Sequence, residues 1–420
     1  MVRTVRRGLV SFALVSVFVL ALPLVAWAAP GDLDPTFSGD GMQTTDLGDF
    51  EGATTAVPLS GGRLLVLGRT GTDVALVQYR NNGHPDPAFG GGDGITTADL
   101  LGNEHPYNGL AVLPSGKILV AAATEGTGVQ KLGLLRFTAT GAPDTTFGGG
   151  DGKLTVGFGH DFDAYDLAVL PSGKILVSGE LYVSGSDSKF IVARLRPTGS
   201  LDTSFGGGDG FVTTQVGPRF DGAWRVLVDS TGRILVGGWS KEGVGSSSYD
   251  AAAARYTAGG APDTTFSGDG KLVTQVFQNG DDYLNGLALQ GSKIVAGVYA
   301  DDGSRTEPCL LRYLPNGKLD PTFGGGDGEV LTPVSADIED VAVDSTGRIV
   351  AAGQDSTPQL WVGRYQANGK VDTTFGTGGF SSAGFATSTF VKGMTLASGG
   401  KVVVVGGTTA GDFAVARFLP

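Results

Sequence analysis

Beyond residue 28 the chain is a succession of short apolar runs cut by turns of glycine, proline, serine and aspartate. Residues 144–201 show the pattern. "DGKLTVG" reads as a strand, "AYDLAVLPSGKILVSGE" as two apolar runs about a Pro-Ser-Gly turn, and "KFIVARLRPTG" as a further strand ending at Gly199. The middle runs are almost continuously apolar instead of alternating, as expected of strands covered on both faces by neighbouring sheets. No helical period bounded by caps occurs outside the first 28 residues, so an α/β fold has nothing to build on. The expectation is all-β, with four short strands per unit.

The unit repeats. An aspartate followed three residues later by a phenylalanine recurs at Asp34, Asp86, Asp144, Asp202, Asp263, Asp320 and Asp372, with spacings of 52, 58, 58, 61, 57 and 52 residues. That is the length of one four-stranded propeller blade and far longer than a calcium-binding β-helix repeat. The units run about 34–85, 86–143, 144–201, 202–262, 263–319, 320–371 and 372–420. Seven copies of D-x-x-F followed by Asp-Gly or Gly-Gly, with G-K/R-hydrophobic hairpins and an Ala-Arg-aromatic strand, resemble the delta-60 repeat family. The resemblance covers residues 31–420 and implies an exported bacterial β-propeller of no established activity, similar in strand pattern to NHL-type propellers. Two copies depart from it: "FGTGGF" has Gly378 and Gly379 in place of Asp-Gly, and the fifth unit has a short hairpin at "LQGSK". The expected fold is a seven-bladed β-propeller of four-stranded antiparallel blades over residues 29–420.

A stretch such as "LDTSFGGGDG", residues 201–210, invites a ligand, because two aspartates bracket glycines. Spacing argues for architecture instead. Arg136, Arg194, Arg255, Arg312 and Arg364 each stand eight residues before Asp144, Asp202, Asp263, Asp320 and Asp372, and Gln78 stands eight before Asp86. An arginine on an apolar strand must satisfy its donors, so each is expected to bond the aspartate beyond the turn, with the phenylalanine plugging the space between blades. Arg417 has no aspartate after it and Asp34 no arginine before it, so ring closure pairs them. The N-terminal strand, about 41–47, then completes a blade whose other strands come from about 392–419, leaving no open edge. The loops lack the alternate oxygen ligands of an EF-hand and the G-x-x-x-x-G-K-S/T of a phosphate loop. No metal site or cofactor is expected, and calcium has no specific motif to support it.

Function belongs with the loops that differ from unit to unit. Aligning hairpins by their turns places Thr54, Asn108, Tyr165, Trp224, Asn285, Glu339 and Lys392 at equivalent heights where the inner strands begin, with Asp166, Arg225 and Asp340 in the next ring. Tyr165 and Trp224 offer stacking faces, and Asn108, Asn285 and the carboxylates offer polar groups, a combination that suits a polyhydroxylated or cationic ligand. A second candidate is a rim cluster of Glu104, His105, His160, Asp161 and Asp163, which could hold a metal or supply a general base. His84 falls in a repeated turn and carries no such role. The outer connections "ELYVSGSDSKF" and "SKEGVGSSSYD" are further variable segments.

Composition fixes the setting. Arg3, Arg6 and Arg7 precede the apolar stretch "LVSFALVSVFVLALPLV", which stops at Ala26-Trp27-Ala28, a signal-peptide pattern with cleavage expected after Ala28. Arg6-Arg7 leaves the general and twin-arginine export routes both open. Removal of this segment takes the formal charge from −12 to −15, which disfavours nucleic acid. Cys309 is the sole cysteine, so an internal disulfide is excluded. The reading is a secreted or cell-envelope monomer, without a membrane span after signal removal, that binds an extracellular glycan, peptide or protein. The alternative is a propeller hydrolase, lyase or sugar-oxidising enzyme, calcium-dependent in some forms, working from the rim.

Overall fold

The computed structural model describes residues 28–49, 51–100, 102–125, 128–241 and 248–420. Residues 1–27 of the expected signal segment 1–28, and the tip of the "SKEGVGSSSYD" connection, residues 242–247, lie outside the described residues. Seven antiparallel sheets form a propeller, with no α-helix among the described residues. Blade I comprises Glu51–Pro58, Leu64–Thr70, Asp73–Tyr79 and Ile95–Ala98, paired in that order. The inner strands of blades III to VII are Asp161–Val169, Asp221–Val228, Asp281–Gln290, Asp340–Val343 and Thr389–Leu396. In blade II the inner strand is broken into Asn103–His105 and Leu110–Val112, both paired with Ile118–Glu125.

The continuous apolar runs are explained by packing. Leu64 and Val66 face a core shared with blade VII, while Leu65 and Leu67, alternating with them, face a core shared with blade II. Seven such cores lie between successive blades, so each middle strand buries both faces and gains from no polar alternation.

Each unit that starts at an aspartate gives its first strand to the preceding blade. Lys153–Val156, after Asp144, is the outer strand on Lys131–Phe137. Applied at the ends of the chain, the rule closes the ring: Met42–Thr45 is the outer strand on Phe413–Phe418 of blade VII, and Arg417 Nε lies 2.7 Å from Asp34 Oδ2. The phenylalanines seat against glycines at the far end of their own unit, in the next blade. A Cβ on Gly199 would stand 2.9 Å from the Phe147 ring, and φ of 89° there favours glycine on backbone grounds as well.

Candidate functional site

Strand direction gives the disc two unlike faces. Each inner strand starts at one face among the unit-specific loops and ends at the other, where its hairpin turn meets the D-x-x-F loop.

On the repeated face, Arg194 Nε lies 2.8 Å from Asp202 Oδ2, Nη2 donates to Ser204 Oγ, and the guanidinium covers the Phe205 ring at 4.5 Å. Arg136 with Asp144, Arg255 with Asp263, Arg312 with Asp320, Arg364 with Asp372 and Arg417 with Asp34 repeat the contact at 2.6 to 2.8 Å. Blade I differs: Gln78 Nε2 donates to Asp86 Oδ2 at 3.1 Å, and Ala88 stands where the others have a hydroxyl. Spacing gave no sign of a second cation. Lys174 Nζ lies 2.8 Å from Asp202, and Lys117, Lys293 and Lys401 reach Asp144, Asp320 and Asp34 in the same way. The Lys174 hydrogen bond above all holds the Asp202 carboxyl well below the usual range. Burial by itself would raise Asp34, but Lys401, Thr36 and Arg417 overcome it and hold the carboxyl at about 2. These loops are joints between blades.

On the opposite face five inner strands carry a β-bulge, and the residue at each bulge is Thr54, Tyr165, Trp224, Asn285 or Lys392. Asn108 lies in the break of the blade II strand, and Glu339 just before Asp340–Val343. A bulge re-aims a side chain that strict alternation would send elsewhere. All seven residues line one cavity of about 530 Å³ at the hub, with Tyr107, Arg225, Asp281, Tyr283 and Tyr299.

The aromatic side chains form an arc. Ring centroids stand 4.9 Å apart for Tyr107 and Tyr165, 6.1 Å for Tyr165 and Trp224, 5.5 Å for Trp224 and Tyr283, and 5.9 Å for Tyr283 and Tyr299. Trp224 and Tyr283 are stacked at 19°, and Trp239 and Tyr249 buttress them from behind. Contacts between successive rings hold them in place before any ligand arrives.

Asp166 and Asp340 do not line the cavity. Asp166 accepts from the amides of Leu167 and Val226, and Asp340 from those of Val341 and Met394, so each ties its own blade to the next. Burial pushes the Asp166 carboxyl up to about 7, against the pull of Arg225. Arg225 crosses the hub, donating to the Glu339 carbonyl at 2.8 Å and lying 4.0 Å from Asp340. Lys392 Nζ pairs with Glu339 at 3.2 Å.

The rim candidates separate. His105, Asp161 and Asp163 line a second cavity of about 400 Å³ with Tyr107, Glu125, Gln130 and Tyr182. Arg69 Nη1 stands 3.2 Å from His105 Nδ1, and Asn103 Nδ2 stands 3.0 Å from Nε2. Burial raises the Asp163 carboxyl, although Tyr182 Oη donates to it at 3.0 Å. Glu104 is buried instead, within 4.8 Å of carboxylate oxygens of Asp73 and Asp99, and His160 is exposed on a bend outside this cavity. Between the cavities, Tyr165 Oη donates to Glu180 Oε2 at 3.2 Å, and burial pushes Glu180 up to about 7.

Alignment of turns did not single out Tyr107, Asp281, Tyr283 or Tyr299. Tyr283 was open to detection, because it is the aromatic residue of the variable segment "VFQNGDDYLNG", two residues before Asn285.

The chain matches the family model described as "Domain of unknown function (DUF5122) beta-propeller" over residues 113–147, 170–205, 230–266 and 292–323. Each matched segment ends at a D-x-x-F phenylalanine. No curated protein matches the sequence. Among solved structures, the chain is similar to catalytically inactive virginiamycin B lyase from Staphylococcus aureus with quinupristin, at 11% identity and TM-score 0.51, covering 90% of this chain and 99% of that one. The selenomethionine-substituted form of that lyase gives 11% identity and TM-score 0.50 over the same shares. A glucose dehydrogenase aligns at 16% identity and TM-score 0.45, over 75% of this chain and 96% of its own. These likenesses concern the fold. The chain is a propeller repeat protein.

Proposed function

We propose that the chain is an exported binding module that holds a ring-bearing, polyhydroxylated ligand in the central mouth. The observation that carries this reading is the meeting of all seven residues aligned where the inner strands begin, five of them at bulges, around one cavity walled on one side by Tyr107, Tyr165, Trp224, Tyr283 and Tyr299. Aromatic rings fixed by mutual packing offer faces to the C–H bonds of a sugar ring, and polar groups opposite offer partners to its hydroxyls. Export rests on the signal-type N-terminus. An enzymatic reading has less to stand on, because both His105 ring nitrogens already face neighbouring side chains.

The test is an oligosaccharide array followed by calorimetry on the hits. Trp224→Ala should stay folded and lose about 2 kcal/mol or more of binding free energy, as aromatic truncation at a binding hot spot does. Thr146→Ala, on the repeated face, should bind as wild type. Equal binding by wild type and Trp224→Ala would remove the mouth as the site.

A further inference from the structure

Most polar groups around the mouth already have partners inside the protein. Glu339 and Lys392 hold each other, Arg225 is spent on the Glu339 carbonyl and Asp340, and Thr54 donates to the Leu67 carbonyl. Asn285 differs. It lines the cavity, is only 7% exposed, and donates from Nδ2 to the Ile338 carbonyl at 2.9 Å, which fixes the orientation of its amide. Its Oδ1 is buried and has no hydrogen-bond partner. A buried acceptor without a donor is costly, and most are satisfied by something. Asn285 lines a ligand-sized cavity, so a ligand that draws Oδ1 toward it can supply the missing donor.

The surroundings decide which donor. Asn285 and Arg225 donate to consecutive carbonyls, those of Ile338 and Glu339, so the guanidinium and the amide are side by side over one short segment of blade VI. A cation at Oδ1 would sit beside that guanidinium, and like charges at such range repel strongly where water is scarce. The charged lining is balanced, with Arg225 and Lys392 against Asp281 and Glu339, so nothing in it draws a net cation to the floor. A neutral O–H meets neither objection. Trp224 lies one residue from Arg225, and Tyr283 two from Asn285, so the stacked pair of rings borders the same spot.

We propose that Asn285 Oδ1 is the anchoring acceptor for a hydroxyl of a neutral sugar ring seated against Trp224 and Tyr283. The proposal rests on the reading that the mouth is the binding site and adds the ligand's charge and the residue that selects it. Discrimination of this kind is strong, because a site built around a ligand hydroxyl leaves its own polar atom unpaired when that hydroxyl is missing.

The experiment uses the full chain against an immobilised panel of neutral hexose and pentose trisaccharides and their amino-sugar counterparts, with calorimetry on whatever is retained. Wild type should retain a neutral trisaccharide in preference to the amino form of equal length. Asn285→Ala should weaken that binding at least about tenfold, the loss of one hydrogen bond plus the cost of its empty place. Should Asn285→Ala not fold, Asn285→Ser shortens the side chain while keeping a polar group, and the same loss is expected. If Trp224→Ala abolishes binding while the Asn285 variants bind as wild type does, the mouth stands and the anchor is overturned. Tighter binding of amino sugars overturns the neutral class. No retained sugar, or no effect of Trp224→Ala, overturns the mouth reading and the anchor with it.

Discussion

The two faces of the disc treat the same side chain in opposite ways. On the repeated face, Asp34, Asp144, Asp202 and Asp320 each touch an arginine and a lysine, and their carboxyls are depressed. On the mouth face, burial pushes Asp166, Glu180 and Asp337 up to about 7 and Asp282 to about 6. One face places the D-x-x-F aspartates against cations; the other buries acids among aromatic rings and backbone amides. The lesson is positional. A face that must join seven blades saturates its charges, whereas a face that presents a site keeps polar groups short of partners, at some cost in stability.

The sharpest break in the comparison is to open the ring. Deleting residues 29–47 removes the outer strand Met42–Thr45 of blade VII and the Asp34 partner of buried Arg417, and exposes an unpaired strand edge. Loss of the single cooperative melt, with aggregation during purification, is the expected result. A soluble truncation melting as wild type does would place the seam elsewhere.

Next in size is the joint itself. Arg194→Ala would strip Asp202 of one of its two cations, and the price of breaking a buried pair, about 3 to 5 kcal/mol, should be moderated to the lower end because Lys174 remains at 2.8 Å. Adding Lys174→Ala should cost more than the sum of the single changes, since only the double variant leaves the carboxylate with neither. Additive effects in urea denaturation would show that the two cations act independently.

The opposite shifts also predict how stability depends on pH. Repeated-face aspartates titrate lower folded than unfolded, so their contribution is present above the ordinary aspartate pKa of about 3.9 and is lost as pH falls toward 2. Mouth-face acids titrate higher when folded. Between about pH 4 and 7 the native state holds protons that the unfolded chain has released, so stability falls as pH rises through that window. A melting temperature highest near pH 4 to 5 is expected, and Glu180→Gln should flatten the fall toward pH 7. A maximum above pH 7 would contradict the assignment.

How much of this the sequence discloses depends on whether a residue's partner is fixed by a period. The Arg194–Asp202 joint, the seven blades and the closure by Arg417 and Asp34 are legible because their spacing is constant. Lys174 is equally periodic, but its partner lies 28 residues on in another turn, and nothing local points to it. In the mouth, aligned turns bring Thr54, Asn108, Tyr165, Trp224, Asn285, Glu339 and Lys392 to one height, yet the bulges that aim five of them have no uniform sequence mark. Trp239 and Tyr249 pass as ordinary strand residues within their blade. Asp166 and Asp340 read as acceptors for a ligand, but one position further along the strand the next blade is already in contact. There Gly286 meets the Val341 amide, with 2.6 Å left for a Cβ, and a carboxylate at the equivalent position bonds the neighbour's backbone instead.

The smallest effect tests whether the joints exist for stability at all. Blade I is a natural control, because Gln78 and Ala88 replace the arginine and the hydroxyl together, while the turn cation is kept as Arg63, 3.8 Å from Asp86. Gln78→Arg with Ala88→Thr installs the pattern of the other six joints over an existing phenylalanine, Phe89. If each joint is a net stabiliser, the double variant should gain about 1 kcal/mol, within the range of single well-chosen changes. Dehydrating a guanidinium can cancel what its ion pair returns, and many buried pairs are neutral against uncharged replacements. An unchanged denaturation midpoint would therefore recast the six arginines as devices that fix the register between blades, with stability supplied by the seven apolar cores.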